Sequence, residues 1–289
     1  MMYKQKDSSE SWDIVITPKT SLLSIDWKEI WRYRDLLQMF VRRDFVAQYK
    51  QTILGPLWFL IQPVFTAYTY FLVLNRMGNM PTDGLPPFLF YIAGLTIWNY
   101  FATCLTATSD TFISNAHIFG KVYFPRIIVP LSIVVSNLIK FGIQFLLLIF
   151  FIIYFDWKSP DFDFHWHVNI LLFPIPVLLI GGFALSSGML VSAMTTKYRD
   201  LRFLLAFGVQ LLMYASAVII SPNSVPEKYA TILKFNPIAN IVEFFKATIL
   251  NHQSIDWPAV IYSTAFLIVF LLISIIIFNK TEKTFMDTV

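Results

Sequence analysis

Five polar residues in an otherwise apolar stretch, Thr96, Asn99, Thr103, Thr106 and Asp110, fall three, four, three and four positions apart. On a helix this spacing puts all five on one face. A preceding apolar stretch carries Gln62, Thr66, Thr69 and Tyr70 in a similar pattern. Hydroxyls and carboxamides both donate and accept hydrogen bonds, so such faces suit non-covalent recognition rather than bond making. Polar groups at membrane depth are costly unless they meet protein or water. The faces therefore either bond neighbouring helices together or line a polar pathway. Tyr68, Tyr70, Tyr91, Trp98, Tyr100 and Tyr214 could stack on sugar rings, or serve helix packing alone. Lys140 is the only basic residue deep in an apolar stretch, which makes it a functional candidate with snorkelling or structural pairing as the alternative.

Residues for catalysis are not found in a recognisable pattern. Gly120 and Lys121 lack the upstream glycine and the hydroxyl residue of a GxxxxGK[ST] phosphate loop. There is no HExxH, and the single cysteine, Cys104, can form no internal disulfide. His165 and His167 stand two apart in DFDFHWHVN, which reads as an aromatic membrane-interface loop rather than a metal site. Asp156, Asp161 and Asp163 nearby read as solvated charges. No metal site and no bound cofactor are expected on this chain.

Composition says what must position these residues. Of 289 residues, 56% are hydrophobic, 17% aromatic and only 14% charged. The mean hydropathy is +0.62. A soluble core of this length could not absorb so much apolar surface, so the chain reads as an all-α integral membrane protein. The net charge of +4 is not arranged as a stripe, which argues against nucleic acid. The first residues, MMYKQKDSSESWDIV, contain no apolar signal-peptide core, so insertion is expected to rely on an internal span.

Six stretches approach the roughly 20 apolar residues a span requires: 53–75, 88–109, 127–154, 169–195, 203–221 and 259–279. The fifth is the shortest. Span four carries Gly182 with Ser186, Ala184 with Gly188 and Gly188 with Ser192, small pairs expected to permit close helix packing. With the N-terminus inside, sixteen Lys and Arg fall in inner segments and five in outer ones, so both termini are expected in the cytoplasm.

Two further helical regions are expected. From Asp26, with Glu29 completing a capping box, Ile30, Tyr33, Leu37, Phe40, Val41 and Phe45 give one apolar face. Lys28, Arg32, Asp35, Arg42 and Arg43 lie opposite, as in a helix lying in the membrane interface. Arg34 and Asp44 fall on or beside the apolar face, where they either pair with neighbours or meet a partner or phosphate. Residues 222–257 hold PEKYATILK and PIANIVEFFKATIL, two helices too short to span, with Asn236 and Pro237 as cap and first turn. They read as an outer re-entrant hairpin. The expected division is 1–52, tail and interface helix, and 53–289, the six-span domain.

The run RDLLQMFVRRDFVAQYKQTILGPLWFLIQP resembles the opening signature of permease subunits of ABC-type polysaccharide and polyol-phosphate exporters. YIAGLTIWNYF, NAHIFGKVYFPRIIVPLS, KYRDLRF and FNPIANIVEFFK continue the resemblance in family order. It implies a homodimer of permeases, each working with a separate ATPase subunit that binds ATP and Mg. The cargo would be a polyprenyl-diphosphate-linked glycan such as an O antigen, crossing the bacterial inner membrane. Teichoic acid or capsular polysaccharide is the alternative cargo, and an enzyme acting on lipid-linked sugars the alternative class.

Residue by residue, the resemblance implies a lipid-diphosphate access site at Leu54 and Gly55, where Arg42, Arg43 and Lys50 would suit the anion. Surfaces for ATPase coupling would include Arg34, Asp35, Asp44, Asn115, Lys121 and Arg126. A channel would draw on Gln62, Thr66, Tyr70, Thr96, Asn99, Thr103, Thr106 and Tyr214. Lys140 stands where the resemblance implies an acidic or neutral residue, and no binding role is assigned to it.

Overall fold

The computed structural model describes residues 27–50, 53–159, 162, 164, 167–198, 200–251 and 253–284. Asp26 of the expected cap, Lys4, Lys6, Lys19, Arg199, His165, Asp161, Asp163 and the expected boundary after residue 52 lie outside them.

The interface segment forms two pieces, α1 (Trp27–Arg32) and α2 (Arg34–Tyr49), because the backbone leaves helical geometry at Tyr33. Its apolar side is the one the spacing dictates. Phe40 is buried, and Tyr33, Leu36 and Leu37 pack with it against Phe112, Phe119 and Phe124. Arg32, Asp35, Arg42 and Arg43 remain exposed on the other side. Much of the apolar face is thus spent on protein rather than on lipid.

Between α2 and the first span the chain turns at Gly55, whose φ of +49° lies in the left-handed region that a Cβ disfavours. Pro56 occupies the first turn of the single tight turn Gly55–Leu57 that follows. The span continues as α3 (Trp58–Tyr70) and ends in a wider turn, Phe71–Met77. Thr66 and Thr69 donate their hydroxyls back to the carbonyls of Gln62 and Phe65, both at 2.9 Å.

The second span, α4 (Pro87–Ser109), is the hub of the bundle. Every residue from Leu89 to Trp98 is buried. Short turns α5 (Thr111–Ser114) and α6 (Ala116–Phe119) lead to α7 (Ile128–Lys158), and α8 (Pro174–Thr195) follows. The small residues of α8 work as expected: a Cβ on Gly188 would stand 2.4 Å from the Cβ of Thr108 on α4. The last span is α12 (Trp257–Thr284).

Among the described residues, five helices are long and apolar enough to cross a membrane. The stretch expected as a fifth span among six, 203–221, differs. Only α9 (Leu201–Tyr214) is helical there, 14 residues or about 21 Å, short of the roughly 30 Å hydrocarbon core. The chain beyond it turns without regular structure, yet Ser216, Ala217, Val218 and Ile219 are buried. Irregular backbone at such a place needs partners.

They come from the hairpin α10 (Glu227–Phe235) and α11 (Pro237–Leu250). Asn236 caps α11 by accepting from the Ile238 N–H, and its amide donates to the Ala215 carbonyl at 2.7 Å. The Lys246 ammonium donates to the Ala217 carbonyl at 2.6 Å and to Glu243 at 3.0 Å. It also lies 3.8 Å from the centre of the Phe90 ring. Ala217 has a φ of +54°, rare for a residue with a Cβ, and Lys246 holds its carbonyl in place. Gly94 on α4 lets this strand of chain approach, since a Cβ there would stand 2.3 Å from the Val218 carbonyl oxygen.

Candidate functional site

A cavity of about 160 Å³ opens between α3, α4 and α7, on the side of the bundle where the chain turns at Gly55. Each helix contributes one face. Trp58, Phe59 and Gln62 come from the first turns of α3, and Asn99, Tyr100 and Thr103 from α4. Asn137, Lys140, Phe141 and Gln144 come from α7, where spacings of three and four again define a face. Pro63, buried in the wall, has no N–H to close its helical turn.

The polar lining is rich in unused capacity. Lys140 donates to the Asn137 carboxamide oxygen at 2.7 Å and lies 5.7 Å from the Phe59 ring centre. Asn137 donates in turn to the Ile133 carbonyl at 2.9 Å. The side chains of Gln62, Asn99, Thr103 and Gln144 make no hydrogen bond to another described residue. A wall of amides, a hydroxyl and an ammonium, set among aromatic faces, can hold a polar ligand by hydrogen bonds and ring contacts.

The expected channel residues divide around this cavity. Gln62, Asn99 and Thr103 are brought together in it. Thr66 and Tyr70 lie further along α3, and Tyr70 packs against Tyr91 with ring centres 6.2 Å apart. Thr96 is enclosed at 1% exposure, with its hydroxyl bonded back to the Ile92 carbonyl. Thr106 is bonded back to Ala102, and Tyr214 is exposed at the end of α9. Asp110 pairs with Arg202 at 2.7 Å, tying the end of α4 to the start of α9. The single polar stripe of the sequence is therefore four environments: a buried hydroxyl, a cavity wall, an exposed hydroxyl bonded to its own helix and an ion pair.

The residues assigned to an access site are spread from the second half of α2 to the turn before α3. Arg42 and Lys50 are exposed. Arg43 pairs with Asp44 at 2.8 Å and covers the Phe40 ring at 4.7 Å. Leu54 precedes the turn at Gly55. Asp44 is also near enough to act electrostatically on Lys140, which connects this end of α2 to the cavity.

Among the residues assigned to coupling, Arg34 sits beside Asp35 at 3.7 Å, both exposed. Asn115 is buried and donates to the Thr111 carbonyl at 2.9 Å. Lys121 is exposed. Arg126 donates to the Glu282 carbonyl near the end of α12 and lies over Phe119. Burial pushes the Arg126 guanidinium below its ordinary range, and Glu282 opposes the shift. The α4–α7 connection is thus fastened to both α2 and α12, since the Tyr33 hydroxyl reaches the Tyr123 carbonyl at 3.4 Å.

Trp58, Phe59, Asn137 and Gln144 were not singled out from the sequence as site residues, and Lys140 was given no binding role. The signal existed: Asn137, Lys140 and Gln144 repeat at three and four, as the residues of α4 do.

These features define a class, a helical membrane protein of several spans with a docked interface helix and a polar cavity between its first three spans. Comparison with known proteins gives the family. The sequence profile of the ABC-2 type transporter family matches residues 35–250, and the chain belongs to that family. It is similar to an O-antigen export system permease protein RfbA of Klebsiella pneumoniae, with 29% identity over 262 residues, 88% of this chain and 94% of the relative. A second Klebsiella pneumoniae RfbA is 28% identical over 259 residues, again 88% and 94%. The RfbA of Myxococcus xanthus is 26% identical over 265 residues, 91% of this chain and 98% of the relative.

Proposed function

We propose that this chain is the membrane subunit of an ATP-driven exporter that moves a polyprenyl-diphosphate-linked polysaccharide, an O antigen, across the bacterial inner membrane. Two copies form the pathway, and a separate pair of nucleotide-binding subunits hydrolyses ATP. The observation that carries this reading is similarity to O-antigen export permeases along nearly the whole chain. The geometry agrees. A long hydroxyl-rich cargo requires hydrated passage past amides and aromatic faces, and α3 and α4 both present them.

Both termini and the Gly55 end of the bundle face the cytoplasm in this reading, in line with the excess of Lys and Arg in those segments. The interface helix then lies where the ATPase docks. Its end leads through one turn at Gly55 into α3, so displacement of α2 reaches a cavity-lining helix directly.

Deleting this chain in its host tests the reading. Surface glycan should disappear while lipid-linked glycan accumulates inside, and expression of the chain should restore export. Unchanged surface glycan would overturn it. Neutralising Arg42, Arg43 and Lys50 together should weaken export while insertion and dimer formation persist.

A further inference from the structure

Lys140 stands out among the polar groups between the spans. An ammonium offers three donors, and a charge in a partly apolar site normally finds a carboxylate. Lys140 instead has one neutral hydrogen-bond acceptor, the Asn137 amide, and an aromatic face, Phe59. No carboxylate among the described residues lies within ion-pair distance of it. Asp44, the nearby acid, is already paired with Arg43. The cation therefore retains donors directed at no protein acceptor.

Its surroundings extend the chemistry. Gln62, Asn99 and Gln144 each bring a carboxamide that both donates and accepts, without a protein partner among the described residues. A carboxamide of this kind matches a hydroxyl, which also does both. Gln62 is exposed and Asn99 and Gln144 are half-buried, so these amides are within reach of a ligand rather than committed to the protein. Trp58 and Tyr100 supply flat apolar faces. At about 160 Å³, and open on one side, the cavity is on the scale of a single phosphorylated sugar unit, not an oligosaccharide.

We propose that this cavity is a binding subsite for an oxyanion flanked by hydroxyl groups, a sugar phosphate, with the anion on Lys140 and the hydroxyls on Gln62, Asn99 and Gln144. The subsite deepens the export reading and rests on it: the group bound is the phosphate-bearing end of the cargo, held one helical turn inside the Gly55 bend. Lys140 then distinguishes charged from neutral sugars at the start of the pathway.

The test uses the full chain purified in phosphatidylcholine nanodiscs, with saturation-transfer NMR reporting the binding of glucose 1-phosphate, glucose and inorganic phosphate. Glucose 1-phosphate should bind best, because it alone engages both kinds of group. Lys140→Gln should remove about tenfold of its advantage over glucose, the effect of one charged hydrogen bond. Asn99→Ala and Gln144→Ala should weaken both sugars together. Equal binding of glucose 1-phosphate by the wild type and Lys140→Gln would overturn the subsite, as would unaltered binding by both amide variants. Loss of the sugar-phosphate signal when phosphatidylglycerol replaces phosphatidylcholine would give the cavity to lipid headgroups and overturn its cargo role. Failure of the export reading is seen separately, as unchanged surface glycan on deletion of the chain.

Discussion

Lys140 and Lys246 are both ammonium groups set among membrane helices, and their environments differ in nearly every respect. Lys246 is fully enclosed, with Glu243, the Ala217 carbonyl and the Phe90 face around it. Lys140 is half-buried, holds one neutral amide and faces a cavity. The first cation has an internal task, since it secures a stretch of chain that has left helical geometry after α9. The second has no comparable internal task. A buried charge with its partners supplied by the protein is architecture, whereas Lys140 keeps donors that no described residue accepts, which is the basis of the subsite proposed above.

The comparison is broken most severely at Lys246. Lys246→Met should lower stability by about 3–5 kcal/mol, because Glu243 loses its counter-charge and the Ala217 carbonyl its donor. Thermal unfolding in detergent would show it as a large fall in midpoint or a failure to purify as a folded species. Gly94→Val should follow at roughly 1–3 kcal/mol, since the new side chain collides with the Val218 carbonyl that Lys246 helps position. The same assay applies, and the two effects should not add, because both release the same segment.

Smaller effects sharpen the other side. Lys140→Met should leave the unfolding midpoint unchanged or raise it, with a change within about 1 kcal/mol, because it removes a poorly compensated cation. A loss as large as that of Lys246→Met would make Lys140 structural. Smallest of all, Arg43→Ala should cost no more than about 1 kcal/mol, as its pair with Asp44 is partly exposed and screened by solvent.

Much of this was legible in the sequence, for physical reasons that can be named. The helices of the long apolar runs are specified by length alone, and the side of α2 that packs inward follows from its three-and-four spacing. The cap at Asn236 and the turn at Gly55 were readable because each needs a particular residue type. The stretch 203–221 was misleading because hydropathy reports burial rather than helicity. Val218 and Ile219 are buried as non-helical chain, supported by groups some 20 to 30 residues away. The cavity was legible only in part for the same reason. Helical spacing groups Asn99 with Thr103, and Asn137 with Lys140, but spacing within one helix cannot show that these faces meet. Nor can it separate Thr96, which lies on the same nominal stripe and is sealed inside the bundle.

The most direct measurement is transport itself, in proteoliposomes holding this chain with its nucleotide-binding partner and a lipid-linked glycan on the ATP-accessible side. The account predicts glycan reaching the opposite face only when ATP is hydrolysed, at a rate sharply reduced by Lys140→Gln. Equal movement by this chain alone, without the partner or ATP, would contradict it.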